Sequence, residues 1–330
     1  MAELNIAVII VTYKTAELTI NSLASLCQEL DKPGLQLRAI VVDNASKDLE
    51  EIRSVAAARG WLSWLTLLDA ERNGGFAYGN NVGIRHAFST GQPDYIYLLN
   101  PDAEVRAGAI RALVDFMESH REVGIAGSSI ENPDGSLWPI AFRFPTLISE
   151  LTGGIQLGLL TKLLSRWEVP QTMDQVAQPI DWICGASMLI RRSLIVAIGG
   201  LDENYFLYFE ETDFCLRARK AGFPTWYVPQ SRIMHIAGQS TGVTARGAEA
   251  KRLPAYWFES RRRYFATNSG RAKFMLIDLI AILAASLGWL KRLLLGRRRT
   301  AIPHYIRDLI AHSIVWPRNR TIAPLRSFKP

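Results

Sequence analysis

Residues 97–105, "YLLNPDAEV", place a carboxylate where an apolar strand returns to solvent. Asp102 stands in the turn that follows the strand, and a carboxylate in that position can hold a divalent cation. His235, in "RIMHIAG", is a second candidate ligand for the same ion. The alternatives are a simple polar turn for Asp102 and an ordinary packed side chain for His235.

Residues 209–214, "FEETDF", carry three acids, Glu210, Glu211 and Asp213, among aromatic neighbours. A carboxyl group in apolar surroundings has a raised pKa, which suits a general base. A structural role is also open, because a helix that begins near Thr212 would hold these acids around its N-terminus, where the helix dipole favours negative charge. The stretch predicts either a proton-transfer centre or a charged helix start.

Residues 71–81, "ERNGGFAYGNN", form a glycine-rich loop between a predicted strand and a predicted helix. Free backbone N–H groups at such a transition favour an anion, and a flexible turn is the alternative. Neither GxGxxG nor GxxxxGK[ST] occurs in the sequence. A P-loop, a dinucleotide site and a doubly wound oxidoreductase are therefore disfavoured.

The elements that must position these residues alternate between strand-like and helix-like segments. Nearly unbroken apolar strands separated by helices predict an α/β fold whose mostly parallel sheet is covered on both faces. Ligands in that architecture bind at the carboxyl ends of strands, where Thr12, Tyr13, Asp43 and Asn100 fall. Residues 225–238 predict an edge strand. The other predicted strands are 6–13, 38–44, 64–70, 95–100 and 123–130, and the predicted helices are 15–30, 47–60, 76–91 and 107–120.

The composition is that of a globular protein, with 48% apolar and 21% charged residues. Three cysteines without a CxxC pair argue against a disulfide framework or a structural zinc site, and they fit a reducing compartment. The N-terminal apolar run is strand-length and has no basic segment before it, so no signal peptide is predicted. We therefore expect the protein in the cytoplasm.

The positive charge is concentrated in residues 251–330, which hold 17 Lys/Arg and 3 Asp/Glu. Within them, 274–290 is apolar apart from two residues and is flanked by basic clusters at 261–263, 291–292 and 297–299. The run is slightly short for a spanning helix and contains a charge, so it predicts an interfacial helix on an anionic membrane surface. A helix packed on the rest of the protein is the alternative. Nucleic acid is disfavoured, because the basic groups lack an aromatic stacking platform.

Seven stretches occur in the order found in family 2 glycosyltransferases of the GT-A fold, and the chain most resembles the bacterial rhamnosyltransferase-like subgroup. They are "VIIVTY" (8–13), "VVDNAS" (41–46), "RNGGFAYGNN" (72–81), "LLNPDAEV" (98–105), "WICGASMLIRR" (182–192), "FLYFEETDFCLRA" (206–218) and "HIAGQST" (235–241). The resemblance covers about residues 5–245 and implies a GT-A catalytic domain over 1–250. The charge and the apolar run described above predict that 251–330 is a helical, basic, membrane-associating extension.

The resemblance also implies a function. The expected reaction is the inverting transfer of a sugar from a nucleotide-diphosphate donor to a hydroxyl of a glycan or lipid-linked glycan. The first candidate for the donor is dTDP-rhamnose. The enzyme would act at the inner face of the cell membrane, in cell-surface polysaccharide synthesis. Glu211 would be the catalytic base, and Asp102 and His235 would hold Mg²⁺ or Mn²⁺. The nucleotide-sugar site would comprise Thr12, Tyr13, Asp43, Arg72, Asn73, Gly74, Asn81, Asn100 and Asp102. The acceptor site would comprise Trp182, Gly185, Ala186, Glu210 and Asp213.

Asn100 departs from the family's usual Asp-x-Asp pattern, because a neutral amide cannot supply a second carboxylate. The metal would then depend on Asp102, His235 and the diphosphate, and Asn100 would be free to hydrogen-bond the ribose. The missing carboxylate keeps open a second hypothesis, a catalytically silent nucleotide-sugar-binding or scaffolding subunit of a glycan-assembly complex. The sequence leaves the sugar, the acceptor and the oligomeric state open.

Overall fold

The computed structural model confirms the predicted alternation of strands and helices. It describes residues 3–30, 32–138, 140–155, 164–171, 173, 175–236, 251–296, 302–313 and 323–328. The strands are β1 (Leu4–Thr12), β2 (Leu35–Asp43), β3 (Leu65–Asp69), β4 (Tyr95–Leu99), β5 (Ala103–Val105), β6 (Ile125–Glu131), β7 (Ala141–Phe142), β8 (Gln178–Ile180), β9 (Trp182–Ile183), β10 (Ser187–Arg191) and β11 (Thr225–His235). The α-helices are α1 (Ala16–Leu26), α2 (Leu49–Ala58), α3 (Gly75–Thr90), α4 (Ala109–Ser119), α5 (Leu147–Ile155), α6 (Arg192–Ile198), α7 (Glu210–Lys220), α8 (Ala255–Ser269), α9 (Arg271–Leu294) and α10 (Tyr305–His312).

One large sheet organises the first 236 residues, in the strand order β3-β2-β1-β4-β10-β6-β11-β5, with β8 paired to β11. The strands β3, β2, β1 and β4 are parallel, and β10 runs antiparallel to both of its neighbours, β4 and β6. The register pairs Thr12 with Asp43 and Ile10 with Leu99. The carboxyl ends of β1, β2 and β4 therefore meet at one edge of the sheet, where a ligand site is expected.

Strand β11 is not an edge strand, and the prediction for 225–238 was wrong on this point. It pairs with β6 in parallel and with β8 and β5 antiparallel, and its register with β6 shifts between Val228 and Arg232. Pro229 lies within that shift. A proline inside a strand usually marks an edge or a bulge, and here the bulge lets the strand stay inside the sheet.

Helix α7 begins at Glu210, two residues before the predicted start near Thr212. Glu210 and Glu211 therefore occupy its first turn, where the helix dipole favours carboxylates. The two preceding residues, Tyr208 and Phe209, have φ angles of 70° and 67°. Residues with side chains rarely adopt this left-handed backbone, and such strain persists only when the surrounding packing holds it.

The C-terminal helices pack on the sheet domain and share its core. Phe265 of α8, with Phe274 and Ile277 of α9, belongs to the main cluster of buried apolar side chains. Arg261 of α8 is buried, and its guanidinium pairs with Glu150 of α5 and with Asp278 of α9. The domain boundary predicted at residue 250 lies outside the described residues.

Helix α9 has 24 residues and is longer than the predicted apolar run. Within the described part of the chain it is the one helix long and apolar enough to cross a membrane, judged by length and composition. One face packs against α5, and on that face Asp278 is fully buried and pairs with Arg261 at 2.7 Å. The opposite face exposes a row of leucines at helical spacing, Leu276, Leu279, Leu283, Leu287, Leu290 and Leu294. The basic cluster at 297–299 lies outside the described residues.

Candidate active site

A cavity of about 320 Å³ opens where β1, β2 and β4 end, and it is lined by both acidic stretches singled out from the sequence. One wall comes from the strand ends, and the opposite wall comes from the segment before α7. The predicted site residues that line the cavity are Tyr13, Asn73, Asn100, Asp102, Gly185, Ala186, Glu210, Glu211 and His235. The fold thus gathers residues from six separate parts of the chain around one space.

Asp102 and His235 meet because β5 and β11 pair antiparallel, with His235 opposite Ala103. The His235 Nε2 atom lies 3.0 Å from Asp102 Oδ1 and 3.3 Å from the Asn100 amide nitrogen. The other ring nitrogen, Nδ1, is buried and has no hydrogen-bond partner among the described residues. The edge of the Trp138 ring packs beside the imidazole. Two side chains that can bind a cation therefore stand side by side on the cavity wall.

This pair fits a divalent cation as a partial ligand set. The His235 Nε2 and Asp102 Oδ1 atoms lie 3.0 Å apart, so both could bind one divalent cation in place of the hydrogen bond between them. No group of three or more His, Cys, Asp or Glu side chains with metal-site geometry occurs among the described residues. A cation held here would take its remaining ligands from a bound diphosphate and water, as Mg²⁺ commonly does.

Glu210 and Glu211 form a carboxyl pair on the opposite wall. Burial raises the pKa of both groups, and the charge of Glu211 raises the pKa of Glu210 further. The backbone N–H of Gly185 donates to the Glu211 carboxylate and partly offsets the effect of burial on its pKa. On each glutamate Oε2 is buried without a hydrogen-bond partner among the described residues. A carboxylate with a raised pKa and an unused oxygen suits proton abstraction.

Cys184 is the only cysteine among the lining residues, and it does not suit nucleophilic attack. Burial, and secondarily the charge of Glu211, raises the pKa of its thiol to about 12. The thiol therefore stays protonated at neutral pH, and a protonated thiol is a poor nucleophile. Chemistry in this cavity proceeds more readily through proton transfer than through a covalent cysteine adduct.

Seven predicted site residues do not line the cavity, and two of them shape the turn after β2. Asp43 accepts hydrogen bonds from the Ser46 hydroxyl and from the backbone N–H groups of Ser46 and Asp48. Thr12 is fully buried and donates its hydroxyl to the Asp48 carboxylate at 2.5 Å. Both residues fix the backbone beside the cavity.

Three more of the seven belong to α3 or to the loop before it. The Arg72 guanidinium stacks on the Tyr78 ring at 4.3 Å. A Cβ atom on Gly74 would lie 2.4 Å from that ring, so only glycine fits there. Asn81 is buried and binds the backbone of Leu201 through its amide nitrogen and its amide oxygen.

The last two of the seven are predicted acceptor residues. The Trp182 indole N–H donates to the Arg143 carbonyl oxygen, away from the cavity. Asp213 is buried and accepts from Arg217 at 2.8 Å and from Asn268 of α8 at 2.9 Å. Both side chains hold neighbouring elements together.

The other lining residues were not predicted as site residues, although all except Trp138 and Tyr256 lie within the seven stretches quoted from the sequence. They are Val11, Asn44, Gly75, Phe76, Pro101, Trp138, Cys184, Phe206, Leu207, Tyr208 and Tyr256. Asn44 could have been found, because it follows Asp43 directly at the end of β2. Its amide nitrogen donates to the Gly75 carbonyl, and its Oδ1 is buried without a partner among the described residues. No sequence motif pointed to Tyr256, because it lies in the C-terminal extension, outside the stretches that resemble the family.

The glycine loop contacts the segment before α7. The Phe76 N–H donates to the Phe206 carbonyl oxygen at 2.9 Å. Gly75 has φ = +83°, and a Cβ atom there would lie 1.8 Å from the same oxygen. A glycine at 75 therefore lets the two walls of the cavity touch, because it both tolerates the backbone angle and leaves room for the carbonyl.

Comparisons with known proteins identify the family of this chain. The chain matches the family model described as glycosyl transferase family 2 over residues 7–197. It is 31% identical over 247 residues to the N-acetylglucosaminyl-diphospho-decaprenol L-rhamnosyltransferase of Mycobacterium tuberculosis, covering 71% of this chain and 77% of that protein. It is 27% identical to the low-salt glycan biosynthesis hexosyltransferase Agl10 of Haloferax volcanii, covering 98% of this chain and 94% of that protein. The mannosyltransferase PcManGT of Pyrobaculum calidifontis, solved with GDP-Man and Mn²⁺, has the same fold, with a TM-score of 0.57 and 17% identity. The match covers 97% of this chain and 83% of that chain.

Proposed function

Because the chain belongs to glycosyl transferase family 2, it is a glycosyltransferase that uses a nucleotide-sugar donor, and we propose that it transfers rhamnose from dTDP-rhamnose to a lipid-linked glycan. One observation carries the proposal: a single cavity holds the proton-accepting Glu211 together with the Asp102–His235 pair. The M. tuberculosis relative, named as a rhamnosyltransferase acting on N-acetylglucosaminyl-diphospho-decaprenol, supports the sugar and the acceptor class.

The proposed reaction is a single displacement at C1 of the sugar. The acceptor oxygen forms a bond to C1 while the bond from C1 to the diphosphate oxygen breaks, which inverts the configuration at C1. Glu211 takes the proton of the acceptor hydroxyl, and the nucleoside diphosphate leaves with the electron pair of the broken bond. The Gly185 N–H holds the Glu211 carboxylate in position for this transfer.

The donor lies along the strand-end wall in this proposal. Tyr13 and Asn44 face the nucleoside, and the unpaired Asn44 Oδ1 accepts from an N–H of the base. Asp102 and His235 would hold Mg²⁺ or Mn²⁺, which when bound would offset the charge that grows on the diphosphate. The rule that ligands of parallel α/β sheets bind at strand carboxyl ends supports this orientation.

A catalytically silent subunit is not favoured. The cavity keeps a carboxyl pair whose pKa values are raised, which a binding protein does not need. The relatives that match across most of their length are named as transferases. The neutral Asn100 leaves one carboxylate for the metal, and His235 stands where it can replace the second.

The protein is proposed to work as a peripheral enzyme on an anionic cytoplasmic membrane surface. The exposed leucine row of α9 can enter the lipid boundary, and the exposed Arg271 and Lys273 at its start can meet anionic headgroups. The ion pair of Asp278 with Arg261 on the other face argues against a helix surrounded by lipid.

The activity is tested by incubating the purified protein with dTDP-rhamnose, Mg²⁺ or Mn²⁺, and a short-chain lipid bearing N-acetylglucosaminyl diphosphate. The expected product is heavier by one deoxyhexose unit in mass spectrometry, and NMR should show inversion at C1. Sugar transfer from UDP- or GDP-sugars but not from dTDP-rhamnose would contradict the proposed donor. Binding of nucleotide without transfer to any hydroxyl acceptor would revive the silent-subunit hypothesis.

A further inference from the structure

The C-terminal extension contributes a side chain to the cavity. Tyr256, in the first turn of α8, lines the same space as Glu210 and Glu211. Its ring centroid lies 5.3 Å from that of Phe206 and 6.1 Å from that of Tyr208, and the Tyr256 and Tyr208 rings are stacked. The residues matched by the family model end at 197, so all three rings lie outside that match.

Helix α8 also holds the segment that presents these rings. The Ser260 hydroxyl donates to the Leu207 carbonyl oxygen at 3.0 Å. Trp257 and Tyr264 pack their rings on Phe209. These contacts fix residues whose left-handed backbone would otherwise relax, and they fix the start of α7, where the glutamates are. Packing against α8 therefore holds in place the aromatic wall, which consists of Phe206, Tyr208 and Tyr256.

We propose that Tyr256 is an acceptor-binding residue, whose ring stacks on the face of the acceptor's sugar ring beside Glu211. This rests on the proposed function. The strand-end wall provides amide, carboxylate and imidazole groups that suit a nucleotide. The aromatic wall instead provides ring faces in the same cavity as the proposed catalytic base, Glu211. A sugar presents C–H groups on its face and hydroxyls at its edge, so a ring against the face turns a hydroxyl toward the carboxylate.

The test compares Tyr256→Ala, Tyr256→Leu and Tyr256→Phe with the wild-type protein, using dTDP-rhamnose and the short-chain N-acetylglucosaminyl diphosphate lipid. Phenylalanine keeps the ring, whereas leucine keeps apolar volume without a ring face. We expect a roughly three- to tenfold higher acceptor KM for Ala and Leu, a near wild-type value for Phe, and unchanged dTDP affinity in all three, since a ring contact has that magnitude. Thermal melting checks that each variant is folded.

Three results overturn the proposal. The first is an unchanged acceptor KM in the folded Tyr256→Ala protein, and the second is a wild-type KM in Tyr256→Leu. The third is a fall in dTDP affinity, which would assign the ring to the nucleotide. Acceptor binding is also titrated directly in the presence of dTDP, so that a protein without turnover still reports on Tyr256. Acceptor binding by the wild-type protein without turnover refutes the proposed function alone, whereas equal acceptor binding by the wild-type protein and by folded Tyr256→Ala refutes the Tyr256 assignment alone.

Discussion

The imidazole of His235 lies 3.0 Å from the carboxylate of Asp102, although 133 residues separate the two along the chain. The pairing of β5 with β11 brings them together at the mouth of a cavity whose opposite wall carries Glu211. A neutral Asn100 beside the imidazole completes the cluster. A histidine from a distant strand thus stands where a second carboxylate of an acidic motif would be expected.

Glu211→Gln should lower kcat by roughly 10²-fold or more while dTDP affinity stays unchanged, because the amide cannot accept the hydroxyl proton. Steady-state kinetics and a dTDP titration measure the two quantities. Glu210→Gln is the matched control, since it removes the neighbouring carboxyl and leaves the group bound by Gly185. A larger loss of kcat in Glu210→Gln than in Glu211→Gln would show that Glu210, and not Glu211, is the catalytic base.

The pH dependence of kcat should show an acidic limb above the ordinary range of a glutamate. The base works only when ionised, and burial raises the pKa of Glu211, so protonation removes activity at a higher pH than usual. The pH–rate profile of the donor-saturated enzyme measures this limb. In Glu210→Gln the limb should stay above the ordinary range, because burial, and not a charge on Glu210, raises the pKa of Glu211. An acidic limb near pH 4 in the wild-type protein would refute the raised pKa.

Asp102→Asn should weaken the metal-dependent part of donor binding at least tenfold, because it removes the one carboxylate of the proposed cation site. Isothermal titration of dTDP-rhamnose with Mn²⁺, Mg²⁺ or chelator measures the effect. His235→Gln should act in the same direction. Donor affinity that does not respond to chelation or to Asp102→Asn would mean that the pair is structural.

Asp278→Ala should destabilise the protein by roughly 3 kcal/mol, because it leaves the buried Arg261 with Glu150 as its remaining ion-pair partner among the described residues. Urea unfolding measures the free energy. Asp115→Ala is the control, since it breaks the exposed pair with Arg111 and should cost less than about 1 kcal/mol. An equal loss of unfolding free energy in the two variants would show that the Asp278–Arg261 pair contributes no more to stability than a surface ion pair.

Replacing Leu279 and Leu283 on the exposed face of α9 by lysine should lower binding to anionic vesicles about tenfold or more, since two apolar anchors are removed from the lipid boundary. Vesicle flotation measures the bound fraction. Leu62→Lys is the control, because Leu62 is similarly exposed but lies far along the chain from the basic extension. Equal flotation of the wild type and the double variant would exclude this face as the membrane contact.

Local patterns were enough to predict most elements and part of the site. Strand-length apolar runs and amphipathic helices follow from side-chain periodicity, which neighbouring residues decide. The turn after β4 and the acids before α7 were likewise visible, so Asp102, Glu210 and Glu211 could be named. The prediction of an edge strand at 225–238 failed, because the pairing of β11 with β6 on one side and with β5 and β8 on the other depends on distant segments.

The sequence by itself determined the fold class, the strand ends and the residue types able to bind a nucleotide-sugar, since these depend on short-range pattern. Only the tertiary structure decided which of those residues share one cavity. It turned Asp213 toward Arg217 and Asn268, and it brought Tyr256 to the cavity from a helix outside the matched domain. The reason is physical: which side chains meet across a cavity depends on strand pairing and helix packing between distant segments, and no local periodicity encodes that.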